Sequence, residues 1–333
     1  MKSLLLSALA IALVAGTSGF AEPSARPKAD AVVAADGSGD FRTILEAINK
    51  ASQTGTADAP WIILVKPGTY REIVYVQREK RFIHLVGEDA EKTVITFDCN
   101  PTQKGLDGLE IGTFRTPTVT VDADDFTIEN LTLENSAGPV GPALALRVDG
   151  DRVAFRKCRF LGFQDTIFLN RGRQYFEGCT IVGAVDFIFG GATAFFKKCT
   201  IESVRGGYIA AASTPQEADF GFVFSDCKIV ADKSVNKVHL GRPWRAFAST
   251  IFLNTEMPEA IVPEGWNNWG RPEREKTVRY AEFQSTGPGG NSNARVAWAP
   301  QLTTAEAEKL TPNHVLGGWN PTRKPNAAPE SDR

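Results

Sequence analysis

The sequence predicts an all-β chain, a right-handed parallel β-helix with short flanking helices. Three observations predict it: a phrase that recurs along the chain, the strand-like composition of each copy, and the lack of any ten-residue helical pattern inside the repeats. The copies are Phe155-Arg-Lys-Cys158, Phe176-Glu-Gly-Cys179, Phe196-Lys-Lys-Cys199 and Phe224-Ser-Asp-Cys227, preceded by the Cys-free Ile128-Glu-Asn-Leu131. Their starts lie 27, 21, 20 and 28 residues apart, room for a coil of three short strands and their turns.

Each copy is rich in Phe, Ile, Thr and Val, so it is expected to be a strand. Further strands are expected at Ile62–Val65, Phe82–Val86, Val94–Phe97, Thr250–Leu253 and Tyr280–Phe283. Thr43-Ile-Leu-Glu46 is a capping box followed by Ala47, Ile48 and Ala51 on one face, a helix that would close the N-terminal end of the stack. A second box, Thr303-Thr-Ala-Glu306, should start a short helix through Leu310.

The ends read differently. Residues 1–21 carry Lys2, an apolar run from Leu4 to Ala15 and then small residues, the pattern of a secretory signal peptide cut near Ala21. The organisation expected is therefore a signal peptide over 1–21, a linker over 22–31, one β-helix domain over 32–320 and a loose tail over 321–333. The destination is secreted or periplasmic. A formal charge of -2 gives no reason to expect nucleic acid, and no later stretch is long and apolar enough to span a membrane. A monomer is expected. There is no CxxC and no Cys/His cluster, so neither metal nor organic cofactor is expected.

The repeat fixes a register. The Cys of successive copies occupy one position of successive coils, which lie roughly 4.8 Å apart. Cys179 and Cys199 are the candidate disulfide, in a compartment that permits one. Counting seven residues on from Cys158 and Cys179 reaches Asp165 and Asp186, within the matching phrases Gln164-Asp-Thr-Ile-Phe168 and Val185-Asp-Phe-Ile-Phe189. Stacking puts the two carboxylates about 5 Å apart at Cα. Such a pair cannot ionise independently, so one serves as an acid while the other is a base or nucleophile. Arg242, in Leu240-Gly-Arg-Pro-Trp244, could clamp a carboxylate, and Trp faces could stack on sugar rings.

Together these phrases, with Pro67-Gly-Thr-Tyr70-Arg-Glu72, Asn135-Ser-Ala-Gly138-Pro and Gly265-Trp-Asn-Asn-Trp269, resemble the pectin methylesterases (pectinesterases), here a bacterial secreted member. The resemblance runs from about Val32 to Trp319. It implies a right-handed parallel β-helix that acts on pectin. It implies that Asp186 is the nucleophile on a methyl-ester carbonyl, that Asp165 is the general acid and then base, and that Gln164 donates to the oxyanion. It also implies that Arg242 orients Asp186, and that Trp244, Trp266, Phe189, Val185 and Thr118 bind substrate. One departure stands out: Pro142 occupies the position where the family carries a second oxyanion Gln, and proline offers no side-chain donor. A slow or binding-only family member is therefore an alternative. A pectate lyase or polygalacturonase on the same architecture is another, without the acidic Ca²⁺ cluster or the Asp motifs those activities use.

Overall fold

The computed structural model describes residues 29–322, so the expected signal peptide lies outside the described residues. Strands pair in parallel, coil on coil. One sheet of ten strands runs from Ala31–Val33 to Arg279–Phe283. A second sheet of twelve strands folds over two further faces. One of these faces includes Thr132–Asn135 and Arg159–Leu161; the other includes Val74–Val76, Val119–Val121, Leu146–Val148 and Ile167–Leu169. The long strands Thr180–Gly190 and Thr200–Ala212 bend across both.

The sequence alternates to suit this tube. Leu146 and Val148 are buried while Arg147 between them is half-buried, and the same pattern holds at Val119–Val121. Inside, equivalent residues stack. The rings of Phe155, Phe176, Phe196, Phe224 and Phe252 form a column with successive centroids 4.6, 4.6, 4.4 and 4.4 Å apart. That step is close to the spacing of neighbouring strands, so strand pairing sets it.

The recurring phrase is not one strand, as its composition suggests, but two strands joined by a corner. The residue before each Cys has a left-handed backbone: Lys157 (φ 49°), Gly178 (61°), Lys198 (52°) and Asp226 (54°). The chain there leaves the ten-stranded sheet and enters the other, as between Arg173–Glu177 and Thr180–Gly190. A lysine carries no turn signal, and strand pairing on both sides imposes the conformation.

The Cys ladder exists, but the expected Cys179–Cys199 disulfide does not form: all five cysteines are buried free thiols. In-register stacking points each Cβ the same way, and the strand spacing exceeds the Cβ separation that a disulfide needs. Each thiol of the ladder turns to a carbonyl of the preceding coil, Cys158 to Ile128, Cys179 to Phe155, Cys199 to Phe176 and Cys227 to Phe196.

The helix Ile44–Lys50 buries Ile44, Ala47 and Ile48 against the first coil, and Thr43 accepts from the Glu46 N–H as its cap. Glu72 reaches over to accept from the N–H groups of Ile44 and Leu45. Near the C-terminus the helix expected from Thr303 through Leu310 is shorter, Thr304–Ala307, and a further short helix, Pro312–Val315, follows it, with Pro312 at its first turn, where the missing N–H costs nothing. This segment covers the outer face of the ten-stranded sheet, with Val315 and Leu316 against Tyr175, Phe195 and Val223. The tail expected to be loose from 321 starts anchored: Pro321 is buried and its carbonyl accepts from Arg156. The rest of that tail, from 323 on, lies outside the described residues.

Candidate active site

The site is built on one outward face shared by successive coils. Isolated bridges stack Pro142 on Gln164 and Gln164 on Val185, and the ladder continues through Tyr208 to His239. Ile167 pairs with Ile188 and Phe168 with Phe189, so Asp165 and Asp186 occupy the same position of adjacent coils.

Local backbone aims the two carboxylates. Asp165 (φ 62°) and Asp186 (φ 50°) are both left-handed, a conformation that costs energy for a side-chain-bearing residue but is tolerated best by Asn and Asp. The register of Thr180–Gly190 slips on either side of Val185. The irregularity lets Phe187 and Ile188 both enter the core while Asp186 stays on the outer side. Gly183 makes room for this: a Cβ there would lie 2.2 Å from that of Phe187.

The two carboxyls differ in their partners. Arg242 holds Asp186 bidentately, Nε to Oδ1 at 2.9 Å and Nη2 to Oδ2 at 2.6 Å. The guanidinium is itself gripped between two rings, with its carbon 3.8 Å from the Tyr208 centroid and 3.7 Å from that of Trp269. His239 stacks behind Tyr208 at 4.9 Å. Asp165 has no side-chain hydrogen-bond partner among the described residues; its backbone N–H donates to the Val185 carbonyl. Burial, reinforced by the nearby charge of Asp186, pushes Asp165 up to about 7. Burial also raises Asp186, but the Arg242 hydrogen bonds pull it back. Asp186 is therefore the stronger acid of the pair and loses its proton first.

Around the pair is an aromatic wall. Phe168 stacks on Phe189 at 4.6 Å, and Trp244 meets both rings edge-on at 6.3 and 5.8 Å. The backbone N–H groups of Arg242 and Trp244 donate to the carbonyls of Ala210 and Ala212, fixing the Arg-Pro-Trp stretch two coils beyond Asp186.

The structure thus brings Asp165, Asp186, Gln164, Arg242, Val185, Phe189 and Trp244 together. It does not bring Trp266 or Thr118. Trp266 is 2% exposed, packs between Phe252 and Tyr280, and donates its indole N–H to buried Glu282. Thr118 is fully buried with its hydroxyl on the Glu134 carbonyl. Neither can touch a polymer. The tryptophan that faces the site is Trp269, three residues later, in the motif quoted for Trp266. Tyr208 carries no sequence signal, since it lies in the part of Thr200–Ala212 beyond the recurring phrase.

The Pectinesterase family model matches residues 30–319.

The chain belongs to the pectinesterase family.

Pectinesterase 31 of Arabidopsis thaliana is 40% identical over 282 residues, covering 83% of this chain and 88% of its own. Longer relatives, such as the probable pectinesterase/pectinesterase inhibitor 23 of the same plant, are spanned over only about half their length, 54% in that case, at 38% identity. Among solved structures, the carrot pectin methylesterase superposes with a TM-score of 0.82 at 32% identity, covering 89% of this chain and 95% of that one. PemA from Erwinia chrysanthemi gives 0.78 at 31%, covering 89% and 99%. A pectin methylesterase in complex with a hexasaccharide gives 0.77 at 30%, with the same coverage. The fold of this pectinesterase is accordingly a right-handed parallel β-helix, and its class is that of the carboxylic ester hydrolases.

Proposed function

We propose that this pectinesterase hydrolyses methyl esters of galacturonate units in pectin through Asp186 as nucleophile and Asp165 as acid and base. The observation that carries this reading is the asymmetry of the stacked pair: one carboxyl clamped by Arg242, the other unclamped and raised to about 7. Asp186 attacks the ester carbonyl, and the electron pair moves onto the carbonyl oxygen beside Gln164, whose side-chain amide donates to it. Collapse breaks the bond to the methoxy oxygen, which takes the Asp165 proton and departs as methanol. Asp165, now a carboxylate, draws a proton from water as that water attacks the acyl carbon, and Asp186 leaves as a carboxylate. Phe189 and Val185 line the space for the methyl ester, and Trp244 with Trp269 supplies aromatic faces for the polymer.

The leader-like start at residues 1–21 supports export, to the periplasm or the medium, and action as a monomer completes the reading. Among the described residues no helix is long and apolar enough to cross a membrane.

A second reading has its own observation. Pro142 stacks directly on Gln164, in the place of a second donor. A protein slowed there would bind pectin and release methanol weakly. Loss of one oxyanion donor typically costs on the order of 10²–10³ in rate. Methanol release from highly methylated pectin, followed in EDTA and with absorbance monitored for unsaturated product, tests both readings. Steady methanol without unsaturated product supports the esterase; binding without methanol supports the weaker reading. On the second reading Pro142→Gln raises kcat by roughly tenfold or more; an unchanged kcat removes it.

A further inference from the structure

Arg242 has two carboxylates within its influence. It is bonded to Asp186, and its charge also acts on Asp165, one coil before. The charged groups that act on the pair are Arg242 on Asp186, and Asp186 and Arg242 on Asp165. An arginine side chain has many rotamers, so the carboxyl it serves has to be fixed by what holds it. Here that is the sandwich of Tyr208 and Trp269, whose ring centroids lie 3.8 and 3.7 Å from the guanidinium carbon. Rings cover both flat faces, and only the edge is left to donate. Tyr208 reaches this place by a departure from the repeat. The chain takes five steps from Ser203 to Tyr208 while the paired strand takes two from Gly183 to Val185. Gly206 and Gly207 permit the excursion, since a Cβ on them would lie 2.4 and 2.2 Å from the carbonyl oxygens of Asn236 and Ala184. Ile209 then enters the core, and Tyr208 stays outside with His239 stacked on it at 4.9 Å. Burial holds His239 below the usual histidine range, with Glu264 and Arg242 the charged groups that act on it, so it sets no second cation beside Tyr208.

We propose that Tyr208 is a positioning residue that, together with Trp269, decides which of the two aspartates Arg242 clamps, and so which is the nucleophile and which the acid. The proposal rests on the esterase reading above. Tyr208 acts through Arg242. Without its ring the guanidinium is free to lean towards Asp165, and the two carboxyls become alike. Asp186 loses the hydrogen bonds that offset its burial, and Asp165 gains a cation. The asymmetry of the pair therefore depends on a ring that belongs to neither carboxylate's own coil.

The test follows kcat and kcat/KM against pH in the wild type, Tyr208→Leu and Tyr208→Phe, with carboxyl-carbon NMR titration of the same proteins without substrate. In Tyr208→Leu the acid limb of kcat/KM should move to higher pH and the alkaline limb to lower pH, each by roughly half a pH unit. The value of kcat should fall roughly tenfold while KM stays unchanged. Tyr208→Phe keeps a ring face and should keep the wild-type limbs. Limbs that stay in place in Tyr208→Leu, or that move as far in Tyr208→Phe, overturn the proposal. So does a rise in KM alone, which marks a substrate contact. Should Tyr208→Leu not fold, Trp269→Leu removes the other ring, and its titration has to show the two carboxyls approaching each other; unmoved carboxyls overturn the proposal. A wild type that releases no methanol at any pH sinks the esterase reading, and the titration then decides the positioning role on its own. Carboxyls that converge in Tyr208→Leu support it, and carboxyls that titrate as in the wild type overturn it.

Discussion

At the scale of single residues, the chemistry rests on Asp165 being costly to ionise. Its carboxyl is largely withdrawn from solvent, has no side-chain partner among the described residues and lies next to Asp186. Methanol release should therefore fall as pH rises through about 7, where the general acid loses its proton, and kcat/KM against pH measures this directly. The same shift has a stability consequence. The folded-state value is raised above the unfolded one, so the group's stabilising contribution is full below about 4 and is lost as pH rises through about 7. Asp165→Asn should be inactive yet melt a few degrees above the wild type at pH 8, with the gap closing near pH 4. A lower Tm in the variant at pH 8 would contradict this account of the residue. The pair was legible in the sequence because two phrases repeat around it, so a count from each Cys reaches both carboxylates. Trp266 and Trp269 were not separable in this way. They share one motif, and only the packing of Trp266 against Glu282 and Tyr280 leaves Trp269 to face Arg242.

At the scale of elements, the corner before each Cys decides more than the strands do. Left-handed residues at Lys157, Gly178 and Lys198 turn the chain at the same point of each coil and keep the registers aligned. Composition reveals the strands on either side but not the corner, because two of those residues are lysines with no turn preference. The same alignment explains the free thiols. Titration with a thiol reagent should find five reactive groups after denaturation and essentially none in the folded protein, and reductant should leave Tm unchanged. Three thiols after denaturation would restore the Cys179–Cys199 bridge.

For the whole molecule, the stack is the unit of stability. The phenylalanine column passes through five consecutive coils, so Phe196→Ala opens a cavity between Phe176 and Phe224 with rigid coils on both sides. A loss of about 3–5 kcal/mol is expected in chemical denaturation, with the surviving folded fraction still active, since the ring lies inside the tube and the site outside it. The repeat revealed the solenoid, and the capping box at Thr43 revealed its N-terminal helix. It did not reveal that the C-terminal segment lies along the ten-stranded sheet, because those contacts join residues far apart in sequence, Val315 and Leu316 to Tyr175 and Phe195. The same solenoid geometry produces the site, for only coil-on-coil register sets Asp165 beside Asp186 and Gln164 beside Pro142. The most direct test of that claim is methanol release from highly methylated pectin by Asp186→Ala and Asp165→Ala, each checked for a native melting transition. The account predicts a loss on the order of 10³-fold or more in both, and full activity in both folded variants would contradict it.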